Sequence, residues 1–136
     1  MKAKTIARCG NDVFLRRIIM LPAIQSALSG LHAYSQKTQA TANNVANLNT
    51  PGFQRDVVTL SSQSPQGVTA SVSKDQSPAP LVAEPSDSGT SLVEQSNADL
   101  IREMPDLIME KNGFSANITT LKTADQMMGT LIDLKA

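Results

Sequence analysis

The side chains that could do chemistry in this 136-residue chain are few and widely spaced. His32 is the single histidine, with no cysteine or carboxylate at ligand spacing, so it reads as a solvated helix residue rather than a metal ligand. Glu103, Asp106 and Glu110 lie three and four residues apart, a spacing that could chelate a cation from one helix face. With Arg102 and Lys111 beside them, a solvated charged face is the better reading. Asn117-Ile118-Thr119 matches the glycosylation pattern but falls inside a helical repeat, in a chain without a recognisable secretory signal. The sequence holds no phosphate-binding loop, dinucleotide fingerprint, zinc spacing or nucleophile elbow. No catalytic residue, metal ligand or cofactor is assigned, and an enzyme is not expected. The densest polar group is Asn43, Asn44, Asn47 and Asn49, followed at once by Thr50-Pro51-Gly52-Phe53. Amides both donate and accept, so the chemistry on offer there is hydrogen bonding to backbone.

Those asparagines sit at the end of an apolar-periodic segment. Leu21, Ile24, Leu28 and Leu31 recur at helical spacing, and the register continues through Ser35, Thr38, Ala42 and Val45. The spacing predicts a helix over 21–48, with Pro22 in its first turn where a missing N–H costs nothing. The stripe begins large and apolar and ends small, which suits close approach to a partner helix. Asn competes for backbone groups and weakens the helix end. Pro51 disfavours a helical Thr50, and Gly52 can take the positive φ of a type II turn.

Beyond Phe53 the period shortens. Val57–Leu60 and Gln66–Lys74 read as two short strands, and Leu81-Val82 as a third. Twenty of the 37 residues from Ser61 to Asn97 are Ser, Pro, Gly or Gln, so much of this middle is expected to be extended or mobile. A second helix follows. Ser96 fits the N-cap of a capping box with Asp99 at its third helical position. Leu100, Met104, Leu107, Lys111, Phe114, Ile118, Leu121, Asp125, Met128 and Ile132 then hold a three-four repeat. Pro105 predicts a kink or a break near the start, and Gly113 weakens the next turn by about 1 kcal/mol. Met104, Met109, Met127 and Met128 read as adaptable packing. A helix of this length must bury its stripe on another helix, from this chain or a neighbour.

Composition narrows the class further. Three Phe, one Tyr and no Trp are too few for an ordinary globular core. Net charge is zero, yet residues 1–19 carry five basic side chains against one acidic, and residues 20–136 carry seven against eleven. No basic stripe remains to follow a phosphate backbone, so nucleic acid is not an expected partner. No apolar run approaches the ~18 residues of a membrane span. Cys9 is the only cysteine, so no disulfide forms within one chain. The expected division is a basic leader over 1–19, possible translation from upstream of a true start at Met20, a helix and turn over 20–53, a middle segment over 54–95 and a helix over 96–136. The expected fold is mainly α, with long N- and C-terminal helices pairing as a coiled coil around a short β/irregular middle.

Both ends together resemble the bacterial flagellar basal-body rod protein family. Ser26-Ala27-Leu28-Ser29-Gly30-Leu31 and Thr41 to Phe53 resemble its N-terminal signature. Asp99 to Met104, Phe114-Ser115-Ala116-Asn117 and Thr123 to Met128 resemble its C-terminal helix. The short middle, Gly67 to Val72 and Ala79 to Pro85, is most like the proximal-rod subunit of the FlgC type, although Thr-Pro-Gly-Phe is as typical of distal-rod and hook relatives. The resemblance implies a structural subunit that polymerises through its terminal helices into the axial drive shaft around an export channel. Implied partners are copies of itself, other rod subunits and the flagellar type III export apparatus. The implied location is the periplasmic rod, reached without a cleaved signal peptide. The expected assembly residues are Ile24, Leu28, Leu31, Asn43, Asn44, Val45, Asn47, Phe53, Leu100, Leu107, Phe114, Asn117, Ile118, Leu121, Met128 and Ile132. The alternatives are a distal-rod or hook-related axial protein, or a helical-hairpin adaptor or chaperone.

Overall fold

In a computed structural model, helix α1 (Ala3–Ala46) leads through two antiparallel hairpins to helix α2 (Leu100–Asp133). The structure describes residues 3–86 and 89–133, with side chains from Pro22 onward except a few near the hairpin tip and the C-terminus. Of the expected leader, residues 1 and 2 lie outside the described residues, and 3–19 are described only as helical. Pro22 is inside α1 rather than in its first turn, where the helix forgoes one N–H bond.

The hairpins are β1 (Asp56–Ser62) with β2 (Val68–Lys74), and β3 (Leu81–Ser86) with β4 (Gly89–Glu94). In the first, Asp56 pairs with Lys74 and Ser62 with Val68. The second pairs Leu81 with Glu94 and Ser86 with Gly89. The Ser/Pro-rich middle is therefore more regular than expected, and β4 is a strand that the alternation rule does not single out. Pro85 is tolerated because both strands of a two-stranded ribbon have a free edge. The fold is thus two helices with two small sheets. The first hairpin packs along α1, whereas the second packs on none of the other described elements.

α1 ends as its chemistry requires. The N–H of Phe53 reaches the carbonyl of Thr50 at 3.2 Å, closing a turn with Gly52 at φ 67°. That is the expected type II geometry, which an L side chain at 52 would strain. α2 starts later than expected. Asp99, not Ser96, is the N-cap: its Oδ1 accepts from Ile101 N–H at 2.9 Å, and its carbonyl accepts from Arg102 and Glu103. Ser96 Oγ instead accepts from Ala98 N–H. α2 then runs through Pro105. The carbonyl that loses its partner is that of Ile101, a residue 82% exposed, so the unpaired group faces solvent rather than the core.

A candidate assembly surface

The buried apolar side chains among the described residues are four alanines, Ala27, Ala33, Ala40 and Ala124. The seam between the helices is otherwise polar. On α1 it runs through Ala27, Gly30, Tyr34, Lys37, Thr41 and Asn44, and on α2 through Glu103, Asp106, Glu110, Gly113, Asn117 and Ala124. Each of these precedes by one residue a member of the stripe read from the sequence. One residue is about 100° of helix rotation, so the seam within the chain lies beside the expected stripes rather than on them. The reason is steric and electrostatic together. Small residues allow close approach, and carboxylates on α2 meet hydrogen-bond donors on α1.

The contacts run antiparallel. Thr41 Oγ1 donates to Glu110 Oε1 at 2.8 Å, with Lys37 Nζ 3.8 Å from the same oxygen. Asn44 Nδ2 donates to Glu103 Oε1 at 3.2 Å. Further along, a Cβ on Gly30 would press on the Asn117 amide, and one on Gly113 would lie 2.6 Å from Tyr34 Cε1. Gly113 is therefore the flat place where the tyrosine ring rests, not merely a weak helix residue. Glu103 and Glu110 are corrected from a solvated face to the most enclosed carboxylates described, Glu110 at 0% exposure. Among the described residues, no group of three or more His, Cys, Asp or Glu is placed to hold a metal. His32 is exposed, as expected.

Two asparagines tie the chain's crossings together. Asn44, 1% exposed, accepts from Asp56 N–H at 2.7 Å and donates to Asp56 carbonyl at 2.9 Å, as a neighbouring strand would. Asn97 accepts from Arg55 N–H at 2.7 Å and donates to the carbonyls of Asp75 and Ser77. Arg55 Nε lies between Glu103 (3.6 Å) and Asp75 (3.9 Å). The N–H of Gly52 reaches the carbonyl of Glu94 at 2.8 Å. The exits of α1 and β2 and the entry to α2 thus meet at one clasp. Asn47 braces the helix end through Asn43 and Thr50. The sequence reading missed Asn97 and Arg55 and placed the two glutamates on a solvated face; the seven-residue spacing from Glu103 to Glu110 was the available signal for a shared inward face.

Asp56 also carries the clearest titration effect. A hydrogen bond from Lys74, opposed by partial burial and helped by Asn43, holds its carboxyl below the ordinary value of 3.8. A depressed carboxyl stabilises the fold above the unfolded value, and that contribution is lost as pH falls through the folded one. Acid titration below about pH 4 should therefore unfold the Lys74→Met variant at higher pH than the parent. Coincident acid midpoints by circular dichroism would remove this role from Lys74.

The first hairpin covers one flank of the pair. There Val68 N–H donates to Ser29 Oγ at 3.1 Å, and Leu60, Ser61, Ser62 and Val68 line a hollow with Gly30, Tyr34 and Asn117. The other flank is open. Its groove, about 610 Å³, is lined by Ser35, Thr38, Gln39, Leu107, Ile108, Lys111 and Phe114. This is where the expected stripes converge. Of the expected assembly residues, Leu28, Leu100, Leu107, Phe114 and Ile132 are exposed, and Ile24, Leu31, Val45, Ile118, Leu121 and Met128 are half-buried. Asn44 is enclosed, Asn43 is exposed, Asn47 and Asn117 are half-buried, and Phe53 is half-buried with Lys74 Nζ 4.9 Å from its ring centroid. Met104, Met109 and Met127 are exposed as well, so they do not pack within the chain. No described helix is long and apolar enough to cross a membrane.

A paired-helix chain that hides polar residues and displays apolar ones carries a surface for contact with other chains, and its ends are similar to those of known structural proteins. Residues 24–54 match the family model described as flagella basal body rod protein. Residues 90–134 match that of the flagellar basal body rod FlgEFG protein C-terminal region. The two matched segments take in the second half of α1 with its exit turn, and β4 with α2, so both ends of the chain are similar to flagellar basal-body rod proteins. It is also similar to the flagellar hook protein FlgE of two strains of Helicobacter pylori, 46% identical over 45 residues. That match covers 33% of this chain and 6% of the length of the hook proteins. The hook likeness does not separate a proximal-rod subunit from its hook relatives.

Proposed function

We propose that this chain is a structural subunit of the flagellar rod, most like the proximal-rod type, polymerising through its terminal helices into the shaft that transmits torque and surrounds the export channel. The observation that carries the reading is the open flank, where large apolar side chains of both helices stand outside the seam of their own chain. An exposed apolar strip of this kind marks an interaction site. Neighbouring copies and other rod subunits would cover this strip, with coiled-coil packing where helix meets helix along the rest of the apolar stripes, and contacts whose rotation does not close build a filament. The expected assembly residues, the division at 20–53, 54–95 and 96–136, export through the type III apparatus and location in the periplasmic rod belong to the same proposal. A hook-related axial protein is the second reading, favoured by the likeness to FlgE.

Ile108→Asp tests it. Ile108 is 60% exposed, so the monomer should keep its stability within about 0.5 kcal/mol, while motility and recovery in purified basal bodies should be lost. Motile cells carrying this variant would remove the open flank from assembly. Localisation of the tagged parent chain separates rod from hook, and a discrete soluble dimer absent from basal bodies would favour the adaptor reading.

A further inference from the structure

We infer that the β3–β4 hairpin of one copy seats in the open α1–α2 groove of a second copy, an inference that rests on the assembly reading above. The hairpin is unoccupied at home. It packs on none of the other described elements; at its base the Glu94 carbonyl receives the N–H of Gly52, while Pro80 carbonyl accepts from Gln95 N–H and Glu94 Oε1 from Ala79 N–H.

Its register gives it a docking face. Leu81 lies opposite Glu94 and Ala83 opposite Leu92, and directly opposed residues of an antiparallel pair share one face. That face therefore carries Leu81, Ala83 and Leu92 with Glu94 at its border. Leu81 is 64% exposed and Leu92 is 70% exposed. The groove offers the complement: Leu107, Ile108 and Phe114 as floor, and Lys111 as its one charged lining residue. Lys111 forms no ion pair among the described residues. The described charges of the hairpin strands, Glu84 and Glu94, are both acidic. Apolar surface thus meets apolar surface with opposite charges at the rim, which orients the contact more than it tightens it. Because hairpin and groove are different surfaces, their union is head-to-tail, the kind of contact that builds a filament when its rotation does not close.

The experiment places a benzophenone amino acid at position 114 of the full chain in flagellated cells. After irradiation, an adduct of twice the chain mass is expected, with its partner peptide falling within residues 81–94. Leu92→Ser should lower its yield about tenfold without changing the monomer's melting curve. Lys111→Glu and Glu94→Lys should each reduce it, and the two together should restore it. Adducts to another segment, to another protein, or none at all in motile cells would overturn the inference while leaving the rod assignment standing. Absence of the chain from basal bodies would instead overturn the rod assignment and this inference with it.

Discussion

Asn44→Ala should lower the unfolding free energy of the monomer by about 3 kcal/mol, the largest effect expected of any single side chain here. Three partners lose their hydrogen bond at once: the N–H of Asp56, its carbonyl, and Glu103 Oε1. A buried polar group left without a partner costs about 1–3 kcal/mol. Water reaches part of Asp56, so the full sum is not realised. Against the roughly 5–15 kcal/mol that holds a domain, the loss is a large fraction. The check is a urea titration followed by circular dichroism at 222 nm. Asn47→Ala is the control, because its bonds are local and at the surface, and about 0.5 kcal/mol is expected. Equal midpoints for the two variants would show that Asn44 does not tie β1 to the helices.

The second large effect concerns Gly113 and Tyr34. On propensity alone Gly113→Ala should stabilise α2 by about 1 kcal/mol. In the folded pair its new Cβ overlaps the Tyr34 ring. Overpacking costs about 1–3 kcal/mol, so Gly113→Ala should lose about 1 kcal/mol and Gly113→Val more. In a Tyr34→Ala background the sign should reverse, and Gly113→Ala should gain about 1 kcal/mol. A thermal or urea cycle over the four chains measures this reversal. If Gly113→Ala stabilises both backgrounds equally, the ring does not rest on that glycine.

Local features were readable where local physics is strong. The Thr50-Pro51-Gly52-Phe53 turn was legible because Pro51 and Gly52 restrict their own dihedrals. The two helices were legible from their three-four repeats, and β1 with β2 from β-branched alternation. Asp99 displaced Ser96 as N-cap because each short polar side chain accepts from the N–H two residues on, Ser96 from Ala98 and Asp99 from Ile101, and only the path of the chain decides where the helix starts. The β3–β4 pairing escaped because its apolar residues fall in short consecutive runs, Leu81–Ala83 and Leu92-Val93, rather than in the alternation that specifies a strand's faces and register.

By itself the sequence determined two amphipathic helices, a sharp turn, a short middle with little core, and terminal motifs resembling an axial flagellar family. Only the tertiary structure decided which face of each helix turns inward. Periodicity reports where apolar residues line up, not whether their own chain covers them. Small residues take the seam because they permit close approach, and Glu103 and Glu110 join it because Asn44 and Thr41 donate to one oxygen of each, which leaves the apolar stripes turned away from the seam.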